Sequence, residues 1–292
     1  MAGSSPGGGV MLAGVKKEKT MPLPPRGFPV MLSFDLDAET MWTARDAQNA
    51  ERPIVMSQGA YGWKTGTPRV LDLLDRYAIK STFFVPGLVI QERQALAEEI
   101  LERGHEIAHH SWSHRWIVNL SEAEEREEMA KGCDIIERLT GRPPAGYRSP
   151  AAEFSPLTMG LLQEFGFSYS SNYFDCDRPY LHVVNGIETD LVEFPFAWVL
   201  DDAPFFQYAI SLPGRTMQAP EAVFQAWKAE FDMIYAENGA FSLAMHPQII
   251  GRPSRLKVLE ALIEHISAQP NVWFARCDEV AEAVRPLLRN ET

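Results

Sequence analysis
Two stretches of this chain concentrate side chains able to hold a metal and move protons. The first is Ser33-Phe34-Asp35-Leu36-Asp37-Ala38-Glu39. On a strand, alternate side chains share a face, so Asp35 and Asp37 point the same way, about 6.6 Å apart along the backbone, while Phe34 and Leu36 turn into packing. Acidic residues also mark ordinary strand ends, and this segment alone does not choose between the two. The second stretch, 105–114, reads HEIAHHSWSH and holds four of the seven histidines. Strand alternation separates His109 from His110, whereas His110 and His114, four apart, converge along any helical or turn-like path. A lone histidine is more often a satisfied core residue; four together beside Trp112 and Trp116 outweigh that reading. A third, weaker signal is Met245-His246-Pro247 at the end of an apolar run.

Together these residues predict metal-assisted hydrolysis of a non-peptide C–N bond. One carboxylate and two histidines make three protein ligands and leave a position for water and substrate. A bound metal lowers the pKa of water from about 15.7 to about 7. The spare carboxylate takes the water's proton. His246, with an ordinary pKa of about 6.5, protonates the departing nitrogen, which is a poor leaving group without that proton.

The elements that must position these groups alternate. Strand-like runs at 29–35, 80–85, 105–109, 145–148, 191–196, 241–245 and 272–275 are separated by helical patterns at 68–77, 91–103, 121–140, 155–165, 220–237 and 254–267, with a last helix from Asp278. Ser121 with Glu124 is a capping-box signature, and Gly141 ends that helix. Strands joined by helices of this size imply a parallel sheet, open or closed into a barrel. Stretches 40–65 and 172–216 are too long for simple connections and are expected to shape a pocket. Their aromatics Trp42, Tyr61, Trp63, Tyr173 and Tyr180 are candidates to line it. Asp175 and Asp177 either approach the site, pairing with Arg148 or Arg178, or form a surface turn. The Glu-rich face of 121–139 reads as solvated.

With 46% hydrophobic and 23% charged residues in 292, the chain can bury a large core, and its net charge of −12 argues against nucleic acid or an anionic membrane as partner. Three distant cysteines, Cys133, Cys176 and Cys277, make a disulfide framework unlike this chain and point to a reducing compartment. Residues 1–26, rich in Gly, Ser and Pro, read as a disordered leader without a signal-peptide pattern, and 27–292 as one catalytic domain. No apolar run is long enough to span a membrane, so a cytoplasmic location is expected. Apolar stretches 194–198 and 205–208 suggest an interface of a homo-oligomer.

FDLD, HSWSH, RSPA, DCDRPY and MHP stand here in the order found in the polysaccharide deacetylase family (carbohydrate esterase family 4), which the chain resembles over roughly residues 28–288. The resemblance implies a distorted (β/α) barrel of about seven parallel strands, an α/β fold. It implies Asp35 as base, Asp37, His110 and His114 as metal ligands, Arg148 as the residue orienting the base, and His246 as acid. The N–H of Ala151 would be the oxyanion donor, with Trp42, Asp177 and Tyr180 near the substrate. Zinc is the expected metal, with cobalt or nickel as alternatives. Two departures stand out: the usual Asp-Asp pair is Asp35-Leu36-Asp37, and the aromatic after Pro150 is absent. Segments 174–180 and 198–204 resemble a branch containing intracellular peptidoglycan-deacetylase-like proteins and cyclic-imide and allantoin hydrolases. The implied reaction is deacetylation of an N-acetylated sugar or related amide, a small molecule or a glycan. Ring opening of a cyclic imide or ureide is the alternative, and an inactive carbohydrate-binding protein the alternative of another class.

Overall fold
The computed structural model describes residues 23–184, 186–209, 212 and 214–289. The expected leader falls mostly outside these residues. From the N-terminus, β1 (Phe28–Asp35) is followed by α1 (Thr40–Thr43), α2 (Pro53–Tyr61), α3 (Thr67–Arg76), β2 (Thr82–Val85), α4 (Gly87–Glu92), α5 (Gln94–Glu102), β3 (Glu106–His109), α6 (Glu122–Thr140), β4 (Gly146–Tyr147), α7 (Thr158–Glu164) and β5 (Tyr169–Ser170). Then come β6 (Tyr180–Val184), β7 (Ile187–Glu193), α8 (Ala203–Phe206), α9 (Pro220–Ala236), β8 (Phe241–Met245), α10 (Pro247–Ile250), α11 (Pro253–Ser267), β9 (Val272–Phe274) and α12 (Cys277–Arg289).

The sheet runs β6-β7-β5-β4-β3-β2-β1-β8, with β9 also paired to β1, and every pairing but β6–β7 is parallel. Beyond β7 the chain meets β8 at one isolated bridge, Asp201 with Ala244. The α/β barrel is therefore joined there by a seam instead of a ladder. Parallel strands covered on both faces read as continuous apolar runs, and β1 is buried at all its positions. Its alternate residues divide the core. Val30, Leu32 and Phe34 pack with Leu71, Phe231 and Leu262 of the surrounding helices. Met31 faces the other way, with Phe84, Ala108, Tyr169 and Val280. Ser33 and Asp35 continue that second row, which ends at the C-terminal mouth.

The alternation of strands and helices was readable because each has its own hydrophobic period. The expected class holds, with eight parallel strands and the antiparallel β6 among the described residues in place of about seven. Two-residue β5 is too short to carry a pattern, and β6 is only partly buried. The helix expected over 91–103 is two, broken where Arg93 takes φ −136° and ψ 42°. The capping box of Ser121 and Glu124 is formed, and Gly141 ends α6 in the left-handed region at φ 76°. Stretch 40–65 contains α1, α2, a 3₁₀ turn and a π-helical turn at Gly62–Gly66. No helix among the described residues is long and apolar enough to cross a membrane. The stretches expected to form an interface are largely core: Phe194, Phe196 and Phe206 are buried, leaving Trp198 and Tyr208 exposed.

Candidate metal and catalytic centre
The C-terminal ends of β1, β3, β4 and β8 deliver Asp35, His110, Arg148 and His246 to one mouth, where parallel α/β barrels place their chemistry. Asp37, two residues past β1, is fully buried. His110 Nε2 and His114 Nε2 stand 3.3 and 3.5 Å from Asp37 Oδ1. His246 Nε2 lies 3.7 Å from Asp37 Oδ2. Asp35 shares this side, its Oδ2 3.8 Å from His110 Nε2, as strand alternation predicts.

His110 and His114 converge through a tight turn in which Ser111 (φ 64°) and His114 (φ 62°) are left-handed. Such backbone is costly for residues other than glycine and needs support. Glu128 of α6 supplies it. Its carboxylate accepts from Ser111 Oγ (2.5 Å), Trp112 N (3.0 Å), Ser113 N (2.8 Å) and Ser113 Oγ (2.6 Å). His109 points away, bonded to the Met129 carbonyl and accepting from Ser111 N. Burial pushes its pKa down to about 4, so the ring is neutral. It is a structural histidine. Gly132 makes room for it, since a Cβ there would lie 2.2 Å from His109 Nε2.

Arg148 is 1% exposed, and its guanidinium is fully engaged. Nη1 donates to Asp35 Oδ1 (2.7 Å) and Ser33 Oγ (2.9 Å), and Nη2 to Ser171 Oγ (2.7 Å). The ring of Phe84 lies 4.1 Å beneath. Asp35 is thus held by one oxygen, with the other left to the mouth. Following Arg148, Ala151 and Ala152 are both left-handed, at φ 59° and 52°. Asn172 Oδ1 fixes this turn by accepting from Ser149 N at 2.7 Å.

His246 is gripped by Asp202, whose Oδ1 accepts from Nδ1 at 2.7 Å and whose Oδ2 accepts from the His246 backbone N–H at 3.0 Å. Nε2 is left facing the centre. Behind it, α10 packs onto the π-helical turn through glycine: a Cβ on Gly66 would meet the Pro247 carbonyl oxygen at 2.1 Å. Isolated π-turns recur at functional sites.

The residues fit a divalent metal. Both oxygens of Asp37 are buried without a hydrogen-bond partner, a cost of several kcal/mol for a charge that nothing coordinates. Ligand atoms of Asp37, His110 and His114 lie within 4.8 Å of one another. Burial works against ionised Asp37, yet His114, His110 and His246 outweigh it and its pKa is lowered. Burial pushes His114 down to about 4, leaving a neutral ring. For His110 burial is overcome by Asp35 and Asp37, and the pKa is raised. Its Nδ1 sits 2.7 Å from the Arg148 carbonyl, and an N–H donated there leaves Nε2 bare for a metal.

A cavity of about 570 Å³ opens over these groups, walled by Trp116, Val118, Phe196 and Trp198 and reaching Ala151. Several residues expected there are elsewhere. Trp42 is buried in the main core. Tyr61 hydrogen-bonds to the Gly251 carbonyl, and Trp63 to Glu39. Tyr173 packs on Phe154, and Tyr180 bonds Asp175 beside β6. Asp177 lines a separate cleft with Cys176 and Arg178. Tyr180 pairs with Glu193 on the edge strand β6, outside the lining of the cavity, and Arg148 takes Asp35 as partner. Sequence reasoning missed Asp202 and Glu128. The doublet Asp201-Asp202 was visible, but nothing local tied it to a histidine 44 residues on, and Glu128, like Glu125, reads from sequence as part of a solvated face although both are buried.

A family model described as polysaccharide deacetylase matches residues 49–170. A Helicobacter pylori protein named peptidoglycan deacetylase is 30% identical over 278 residues, covering 87% of this chain and 94% of that one. The chain belongs to the polysaccharide deacetylase family. A Mycobacterium smegmatis structure assigned to the polysaccharide deacetylases is 36% identical, with a TM-score of 0.85 over 92% of this chain and 96% of that one. The structure of PuuE allantoinase, 23% identical with a TM-score of 0.77 over 93% of this chain and 98% of that one, shares the fold. As a polysaccharide deacetylase, the chain is a metal-dependent hydrolase of C–N bonds other than peptide bonds.

Proposed function
We propose that this family member removes the acetyl group from an N-acetylated sugar or closely related amide, with zinc held by Asp37, His110 and His114. The observation that carries the reading is the buried Asp37 carboxylate, unpartnered between two histidines. The Helicobacter pylori relative, named a peptidoglycan deacetylase, supports the substrate class. Zinc suits a His₂-carboxylate set; cobalt and nickel suit it too.

A divalent ion there would acidify water and polarise the amide carbonyl. The chain's own groups do the rest. Asp35, anchored through Oδ1 by Arg148, takes a proton at Oδ2. His246, oriented by Asp202, gives one from Nε2 to the departing nitrogen. Ala151, left-handed and lining the cavity, supplies its N–H as oxyanion donor. Trp116, Phe196 and Trp198 offer apolar faces to a sugar ring.

Elemental analysis of the pure protein, with acetate release from N-acetylglucosamine oligomers, tests the reading. About one zinc per chain, lost in His110→Ala and His114→Ala together with acetate release, is expected. A metal-free protein that opened a cyclic imide or ureide and released no acetate would sink it.

A further inference from the structure
The cavity carries two positive charges that form no ion pair with a carboxylate among the described residues. Arg45, just past α1, and Arg215, on the segment leading to α9, both line it. Their guanidinium groups donate to the same atom, Gln207 Oε1, at 3.5 and 3.2 Å. The two cations are therefore about two hydrogen-bond lengths apart. Gln207 is buried and turns its Nε2 towards the sulfur of Met41, which leaves Oε1 for the arginines. Arg215 also donates to the Ala203 carbonyl, and Arg45 lies 5.9 Å from the centre of the Trp116 ring. Among the described residues the hydrogen-bond acceptors of both arginines are neutral, the Gln207 amide and the Ala203 carbonyl, in a chain of net charge −12.

Holding like charges this close is unfavourable, and more so where water is partly excluded. Burial and the neighbouring Arg215 hold the Arg45 guanidinium below its ordinary pKa, with Asp37 pulling the other way. A bound anion would relieve that repulsion. Asp35, Asp37, Glu153 and Asp201 line the same cavity, so a dianion such as phosphate would meet more repulsion than a monoanion. Planar guanidinium forks match a carboxylate.

We infer that Arg45 and Arg215 bind a carboxylate of the substrate, so that the amide cleaved at this centre belongs to an acidic molecule. The inference rests on the deacetylase reading above and adds a charge requirement to it. The test uses the metal-loaded chain and two probes of one shape, N-acetylmuramic acid and its neutral carboxamide. Binding is measured by calorimetry, and acetate release in parallel. The acid is expected to bind about ten- to a hundredfold more tightly than the carboxamide. That preference should vanish in the Arg45→Gln/Arg215→Gln double variant, whose unchanged metal content reports an intact fold. Equal binding of the two probes by the unaltered chain, or a preference that survives the double variant, overturns the inference. An arginine-dependent preference with no acetate released from either probe would uphold the anion site and overturn the deacetylase reading instead.

Discussion

Asp202 shows how one side chain can set the chemistry of another. Its two oxygens hold both the ring and the backbone of His246. Burial disfavours the imidazolium, but Asp202, with Asp201 and Asp37, overcomes this and raises the pKa of His246 well above its ordinary value. In the proposed role of acid, His246 must be protonated, so its pKa would limit activity on the alkaline side. Asp202→Asn removes the largest favourable charge, and the alkaline limb of the kcat profile is expected to move to lower pH. The rate at neutrality should fall about ten- to a hundredfold, with metal content unchanged. A limb that stays in place would show that another group donates the proton. Asp35, Asp37, His110 and His114 were visible in the sequence because each sits in a short dense motif, His246 gave a weaker signal, and Arg148 came only through the family resemblance. Asp202, Arg45 and Arg215 were not, because their role exists only once distant segments meet.

At the scale of elements, α6 buttresses the turn that carries the proposed metal ligands His110 and His114. Glu128 makes four hydrogen bonds to residues 111–113, the turn that aims His110 and His114. Glu128→Ala frees a turn with two left-handed residues, and metal affinity is expected to drop about ten- to a hundredfold, measured by competition with a chelator. Unchanged affinity would mean that the turn holds itself. The contact between α6 and β3 is equally specific. Gly132→Ala places a methyl group 2.2 Å from His109 Nε2 and should destabilise the fold by about 1–3 kcal/mol, read from denaturant midpoints. Helix ends at Ser121 and Gly141 were legible because capping is local chemistry. The break at Arg93 and the π-turn at Gly62–Gly66 were not, since packing against other elements decides them.

For the whole molecule, the two ends of the barrel differ in kind. The mouth is the site; at the opposite end Glu106, at the start of β3, is buried. Its carboxylate accepts from Thr82, Tyr169 and the backbone of Asp278. Burial and the nearby Asp278 charge push its pKa up to about 7, against hydrogen bonds that favour the ion. Because the folded value is raised, its stabilising contribution is complete below the ordinary carboxylate range of about 4.3 and is lost as pH rises through about 7. Between pH 5 and 8 the unaltered chain should lose roughly 1–3 kcal/mol more stability than Glu106→Gln, whose amide oxygen can keep the Thr82 and Asp278 donors. Parallel pH curves for the two proteins would remove Glu106 as the cause. The barrel class was legible from strand and helix order, whereas the hairpin β6–β7 and the manner of closure were not, because neither leaves a periodic trace.

That closure has an evolutionary consequence. The proposed metal ligands and Asp35 follow strands stitched into one continuous ladder, where an inserted residue would shift register and scatter the site. Trp198 and Arg215 hang on the segment that crosses the seam, fastened to β8 by a single bridge at Asp201, with Asp202, which holds His246, as the fixed point within it. Lengthening or rewriting that segment breaks almost no sheet hydrogen bonds. Descendants of this chain are free to change what they recognise on one side of the mouth while inheriting unaltered how they cut.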